Sequence, residues 1–150
     1  MTHSLETYHK ILPRGPAADL EFELQTISAK YAFSPKIHEI FHTSTETIVC
    51  MDRVKGDILA DIYGENPQDI PKDIWINIHK ILVTLFDYEG IEYIDITPYN
   101  IMQIPDGSLQ LIDFGDAYYT EPNRSDIDRP QNWFLKEFLD GEYTWNPDFK

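Results

Sequence analysis

Cysteine is nearly absent from this sequence, which contains only Cys50. A single thiol cannot form an intrachain disulfide, and no Cys and His residues have the spacing of a zinc site. The first six residues lack the basic and apolar stretches of a secretory signal, and no apolar run approaches the ~20 residues that span a bilayer. We therefore expect a soluble, intracellular protein of the cytoplasm.

Positive charge is also scarce. The sequence has 12 Lys and Arg residues against 26 Asp and Glu residues, a formal net charge of −14. This balance opposes non-specific attraction to nucleic-acid phosphates and to anionic lipid surfaces, so we expect neither nucleic acid nor a membrane as a partner. An enzyme of nucleotide phosphates with so few cations would depend on a divalent metal.

The length suits one compact unit. The 150 residues are 42% hydrophobic and 13% aromatic, which is enough for one core, whereas two domains would each be small. The sequence contains no internal repeat and no low-complexity stretch. We predict a single domain over residues 1–150.

The most informative segment contains Asp95, Asn100 and the triplet Asp113-Phe114-Gly115. Two short apolar runs flank the turn Pro105-Asp106-Gly107-Ser108, which predicts a β-hairpin. The hairpin would bring Asn100 and Asp113 to the same open end, where their oxygens could share a hard cation with the phosphates of a nucleotide. An ordinary hairpin with turn-capping side chains is the alternative.

The order and spacing of these residues resemble the catalytic loop and the metal-binding triplet of protein kinases and kinase-like phosphotransferases. The resemblance implies that Asp95 orients the acceptor hydroxyl and that Asn100 and Asp113 bind the metal. Residues 71–89 predict a helix with one buried face. In kinases a long helix of this kind leads into the catalytic loop.

The segment from Thr47 to Leu59 predicts a buried strand, a turn containing glycine and a short helix. This segment looks like the kinase hinge. By that resemblance Met51 lies beside the adenine of the nucleotide, the backbone of Asp52 and Val54 binds the adenine edge, and Asp57 reaches the ribose. An edge strand and a turn without a ligand are the alternative.

Residues 19–30 are compatible with a helix. By resemblance to the regulatory helix of a kinase N-terminal lobe, Glu23 on this helix would pair with a lysine of the preceding strand. Lys10, in the predicted strand of residues 7–12, is the candidate, and it would hold the α and β phosphates while Glu23 fixes its direction. An exposed lysine near a frayed terminus is the alternative, and Arg14 is the fallback cation.

Several features of the family are missing. No glycine precedes Lys10, so the Gly-rich phosphate loop would be absent, and a partner protein could supply the cover. Tyr93 and Ile94 replace the His-Arg pair before the catalytic Asp, and Thr97 replaces a lysine that is common in the family. These changes predict slow phosphotransfer without switching by activation-loop phosphorylation.

The expected fold is α+β, a minimal protein-kinase-like fold. A reduced N-terminal lobe over residues 7–54 lacks the strands of the Gly-rich loop, and a shortened helical C-terminal lobe covers residues 55–150. Residues 130–139 predict a closing helix, in which Trp133, Phe134, Leu135 and Phe138 cover the core. An exposed aromatic interaction surface is the alternative.

The resemblance implies a minimal phosphotransferase, nearer to atypical small kinases and small-molecule phosphotransferases. It would move the γ-phosphoryl group of ATP to a hydroxyl of a protein or a small molecule, with Mg²⁺ or Mn²⁺ as the metal. Alternatively, the chain is a catalytically impaired, pseudokinase-like module that binds or mimics a kinase or another protein partner.

Overall fold

The computed structural model of the chain describes residues 6–148. Residues 1–5, on which the expectation of no secretory signal partly depends, and residues 149–150 lie outside the described residues. No helix within residues 6–148 is both long enough and apolar enough to cross a membrane.

The N-terminal part is a three-stranded antiparallel sheet in the order β1-β3-β2 with one helix packed on it. The strands are β1 (Thr7–Pro13), β2 (Ile37–His42) and β3 (Glu46–Asp52), and the helix is α1 (Pro16–Lys30). The structure confirms the two predicted strands, β1 and β3, and the predicted helix, although α1 begins earlier than expected. Proline at the first helical turn explains the early start, because its fixed φ suits a position whose N–H needs no partner.

Side chains alternate along β3 between the two faces of this sheet. Val49 and Met51 are buried, and they pack with Ala18 and Phe22 of α1 in a small cluster. This alternation is the period of a half-buried strand, and it fixes which side of β3 faces the helix.

The C-terminal part contains two smaller sheets. The first has the order β4-β6-β7, with β4 at Asp57–Ile58, β6 at Ile101–Gln103 and β7 at Leu109–Leu111. Strands β6 and β7 pair antiparallel around the predicted turn, so the hairpin prediction is confirmed. The second sheet pairs β5 (Ile91–Glu92) with β8 (Tyr118–Tyr119).

Three more helices and a 3₁₀ turn follow α1 in the described chain. After α1 come α2 (Leu59–Tyr63), a 3₁₀ turn (Pro67–Asp69) and α3 (Lys72–Glu89). Helix α3 ends at Gly90, whose φ of 65° is left-handed and favours glycine, and the predicted long helix is confirmed. Its buried face forms the centre of the main core: Ile74, Trp75, Ile78, Ile81, Leu82, Leu85 and Phe86.

The fourth helix, α4 (Trp133–Leu139), is shorter than the predicted segment 130–139. Phe134, Leu135 and Phe138 are buried, as expected. The expectation that Trp133 joins the core is wrong, because 60% of this residue is exposed. The side chain of Asn132 caps the helix by accepting a hydrogen bond from Leu135 N, so Trp133 occupies the first turn and faces outward.

Candidate functional site

A cleft of about 530 Å³ lies between the three-stranded sheet and the β6–β7 hairpin. Most residues that the sequence marks as functional line this cleft. They are Lys10, Met51, Asp52, Val54, Asn100 and Asp113. Three other candidates, Glu23, Asp57 and Asp95, do not line it.

The hairpin register brings Asn100 and Asp113 to the same end of the two strands. Ile101 pairs with Leu111, and the N–H of Ile112 donates to the carbonyl of Asn100 at 3.0 Å. Asn100 and Asp113 therefore stand on neighbouring segments beside the cleft.

The carboxylate of Asp113 lies in a crowded corner. Its Oδ1 accepts a hydrogen bond from the N–H of Gly115 at 2.8 Å and lies 3.8 Å from Nζ of Lys10. A Cβ on Gly115 would lie 3.1 Å from Oδ1 of Asp113 and 3.3 Å from Oε1 of Glu21. Glycine therefore suits this position, because the Cβ of any other residue would crowd two carboxylates.

Lys10 pairs with Glu21, and the predicted pairing with Glu23 is wrong. The distance from Nζ of Lys10 to Oε2 of Glu21 is 2.5 Å. Glu23 instead accepts a hydrogen bond from the hydroxyl of Tyr119 at 2.6 Å. Two residues on a helix differ by about 200° in direction, so Glu21 and Glu23 point to nearly opposite sides of α1.

Sequence reasoning missed Glu21, although a signal was present. Glu21, Gln25 and Ser28 follow one another at helical spacing, and all three are buried in the same face as Phe22 and Leu24. Charged residues are almost never buried unless they are paired. A polar stripe inside an apolar face therefore indicates a paired carboxylate.

Asp95 is half-buried beside this cleft, in the loop between β5 and β6. Its backbone carbonyl accepts a hydrogen bond from Nδ2 of Asn100 at 3.2 Å. Burial raises the pKa of Asp95 above its ordinary value, and the nearby carboxylates of Asp116 and Asp113 raise it further. A raised pKa makes this carboxylate a stronger base than an exposed aspartate. Sequence reasoning missed Asp116.

Only part of the segment that resembles a hinge lines the cleft. Met51, Asp52 and Val54 line the cleft, whereas Asp57 lies on β4 opposite Gln103 of β6. The N–H of Asp52 donates to the carbonyl of Lys36, just before β2, at 2.9 Å. Within the described part of the chain, the N–H of Val54 has no acceptor, so it is available to a ligand.

Tyr93 lies under the cleft and is 1% exposed. Its ring packs edge-on against Phe114, with centroids 5.0 Å apart. Burial raises the pKa of the Tyr93 phenol well above 10, with further contributions from Asp95 and Asp113, so the group is neutral. The backbone of Asp113 approaches the hydroxyl but completes no hydrogen bond, and no other described residue supplies one.

Glu92 holds the segment that follows β8 against β5. This carboxylate is fully buried, and it accepts hydrogen bonds from the backbone N–H groups of Gln131 at 3.0 Å and Asn132 at 2.9 Å. The hydroxyl of Tyr118 donates to it at 3.2 Å, and a guanidinium nitrogen of Arg124 lies 3.8 Å away. A buried carboxylate with this many donors holds residues 118–132 in place against β5.

The donor set of Asn100 and Asp113 fits a hard cation. Nδ2 of Asn100 donates to Asp95 and Oδ1 of Asp113 accepts from Gly115, which leaves one oxygen of each side chain without a partner among residues 6–148. In that range no group of three or more His, Cys, Asp or Glu side chains is arranged to hold a metal ion. A magnesium ion here would take its other ligands from phosphates and water, as is usual for this ion.

Comparisons with known proteins bear on the fold. No family model and no curated protein matches the sequence. Among solved structures, the kinase PK-1 of Cydia pomonella granulovirus is similar, with a TM-score of 0.65 and 21% identity over 76% of this chain and 44% of that chain. This chain therefore spans less than half the length of that kinase. The similarity shows that the chain has a kinase-like fold.

Proposed function

We propose that this chain is a minimal kinase-like phosphotransferase, which moves the γ-phosphoryl group of ATP to a hydroxyl of a protein or a small molecule. The observation that carries the proposal is the position of Lys10. Its ammonium lies between Glu21 at 2.5 Å and Asp113 at 3.8 Å, in the same cleft as Asn100 and Met51. The kinase-like fold supports this reading.

The adenine would bind at the end of the cleft formed by Met51, Asp52 and Val54. Met51 offers an apolar side chain, and Val54 offers a backbone N–H without a partner among the described residues. Lys10 lines the same cleft and would meet the phosphates. Because Glu21 holds the ammonium, less side-chain freedom is lost when a phosphate binds.

Asn100 and Asp113 would hold Mg²⁺ or Mn²⁺, which neutralises phosphate charge when it is bound. The chain's own contribution is the ammonium of Lys10, with Arg53 also lining the cleft, and two oxygen ligands. Asp95 would orient the acceptor hydroxyl and take its proton, since its loop is anchored by the hydrogen bond from Asn100.

A pseudokinase-like binding module is the second candidate. The observations that favour it are Tyr93 and Ile94 in place of the His-Arg pair before Asp95, and Thr97 in place of a lysine that is common in the family. Only the enzyme would transfer the γ-phosphoryl group of ATP.

A radiolabel assay tests the proposed enzyme. Wild type is incubated with γ-labelled ATP and Mg²⁺ or Mn²⁺ beside Asp113→Ala and Asp95→Asn, with Asp87→Ala on the exposed side of α3 as the control. We expect label release from wild type and from the control, and loss in both site variants. Equal release by all four proteins would contradict the proposal.

Thermal shift separates binding from transfer. A ligand that binds only the folded state raises the melting temperature by mass action. A shift with nucleotide and metal that Asp113→Ala abolishes, in a protein that releases no label, would favour the pseudokinase-like module. A shift together with label release would favour the enzyme.

A further inference from the structure

A second groove, of about 640 Å³, adjoins the segment that resembles a hinge. It shares Pro35 and residues 52–54 with the candidate nucleotide cleft, and it extends from them along the α1–β2 connection and to the β6–β7 turn. We call it the back groove. Its apolar lining includes Pro35, Val54, Ile104 and Pro105.

The back groove is lined by more basic than acidic side chains, whereas the whole chain is acidic. Acidic residues outnumber basic ones 26 to 12 in the sequence, but the groove is lined by three cations, Lys36, Arg53 and Lys55, and two carboxylates, Glu6 and Asp52. The groove is therefore a cationic site on an otherwise acidic protein.

Both carboxylates of the groove are already engaged. Glu6 pairs with Lys55 at 3.3 Å between Oε1 and Nζ, and Asp52 contacts Nε2 of His38 at 2.5 Å. Lys36 and Arg53 are exposed and form no ion pair within residues 6–148. These two side chains can meet an incoming carboxylate without breaking an existing pair.

Backbone hydrogen bonds preform the walls of the groove. The N–H of Asp52 donates to the carbonyl of Lys36 at 2.9 Å, which places Lys36 beside Arg53. The N–H of Leu111 donates to the carbonyl of Phe33 at 2.7 Å, which ties the β6–β7 hairpin to the α1–β2 connection. Preformed walls reduce the entropy cost of binding.

The lining also offers a group suited to a peptide backbone. The side-chain amide of Gln110 borders the groove, and it has no hydrogen-bond partner in the described part of the chain. An amide can both donate to and accept from a peptide unit. Apolar surface, an amide and two unpaired cations together match an extended segment that alternates acidic and apolar side chains.

We propose that the back groove binds an extended acidic segment of a partner protein. Its carboxylates pair with Lys36 and Arg53, and its apolar side chains contact Pro35, Ile104 and Pro105. Nucleic acid and anionic membranes fit less well, because their negative charges would extend beyond the groove over a protein whose formal net charge is −14. A short segment interacts electrostatically mainly with the charges of the groove, because salt screens charges beyond about 8 Å at physiological ionic strength.

Fluorescence anisotropy tests this inference with two labelled peptides of equal length, one alternating Glu and Leu and one alternating Lys and Leu. The proteins are wild type, the double variant Lys36→Glu with Arg53→Glu, and Lys80→Glu as the control. Lys80 is exposed on α3 and lines neither cleft. We expect the acidic peptide to bind wild type and the control, to bind the double variant about tenfold or more weakly, and to weaken with salt.

A variant that should gain affinity guards against a folding defect. Glu6→Gln removes the carboxylate that pairs with Lys55, so we expect tighter binding of the acidic peptide. Three results would overturn the inference: no binding to wild type, equal binding of the basic peptide, or an equal loss in Lys80→Glu. Tighter binding of a single-stranded oligonucleotide or an anionic vesicle than of the acidic peptide would also overturn it.

Discussion

Lys10 of β1 and Glu21 of α1 form an ion pair that joins the sheet to the helix, with 2.5 Å between Nζ and Oε2. The Glu21 side chain is 8% exposed and that of Lys10 is 22% exposed, so water screens the pair less than it would a surface pair. Asp113 lies 3.8 Å from the same ammonium. Any shift of α1 against the sheet would therefore move the ammonium relative to Asp113.

Glu21→Gln tests whether this pair directs Lys10. The amide keeps the volume but loses the charge, so we expect kcat/KM for label release to fall about tenfold or more, which corresponds to ~1.4 kcal/mol of transition-state stabilisation. Glu23→Gln is the matched control on the same helix and should stay within about threefold of wild type. A larger loss in Glu23→Gln than in Glu21→Gln would reverse the assignment.

The choice between Glu21 and Glu23 shows where sequence reasoning ends. A helical period predicts that α1 exists, because the signal is local. The face of α1 that meets Lys10 depends on packing against β3, and the resemblance to the regulatory helix selects Glu23, which points to the other side of α1. Gln25 and Ser28 are buried together with Glu21, so the side of α1 that carries Glu21 is the buried side.

Glu23 has a different physical role, which titration can detect. Partial burial and the hydrogen bond to Glu23 raise the pKa of Tyr119 to about 12 from an ordinary value of 10.0. A raised pKa means that the folded state holds the proton more tightly, so this contribution to stability is complete below pH 10 and is lost as the pH rises toward 12.

Glu23→Gln should therefore move one tyrosine ionisation to lower pH in an ultraviolet titration of the folded protein. Removing the carboxylate removes both its hydrogen bond and its negative charge, and both favour the neutral phenol. Tyr119→Phe identifies the affected component, because that component disappears. An unchanged titration curve in Glu23→Gln would show that Tyr119 does not bond to Glu23 in solution.

Glu92→Gln probes the buried carboxylate that orders residues 118–132. In this variant an amide NH₂ group replaces one carboxylate oxygen, and it would face backbone N–H groups that now donate to Glu92. Two donors cannot pair, so we expect the free energy of unfolding to fall by about 1–3 kcal/mol. Urea denaturation measures this change. Glu142→Gln, an exposed position near the C-terminal end of the described chain, should stay within about 0.5 kcal/mol of wild type. Equal stability of the two variants would contradict the role assigned to Glu92.

The Glu92 contacts could not be predicted from the sequence. Its strongest partners are the backbone N–H groups of Gln131 and Asn132, which have no side-chain signature and lie far along the chain. The hairpin that carries Asn100 and Asp113 is different, because its turn residues and apolar runs lie within one short segment. Local signals thus predict the elements of the candidate site, while the contacts between distant segments require the structure.

Tyr93→Phe should leave stability unchanged or raise it by up to ~1 kcal/mol, because a buried hydroxyl without a partner costs desolvation free energy. The ring contact with Phe114 at 5.0 Å is kept in the variant, so only the hydroxyl is removed. Tyr118→Phe is the matched control: it loses the hydrogen bond to Glu92 and should cost about 0.5–1.5 kcal/mol. If urea denaturation shows a greater loss for Tyr93→Phe than for Tyr118→Phe, the Tyr93 hydroxyl has a partner in solution, and the nearest candidate is the backbone of Asp113.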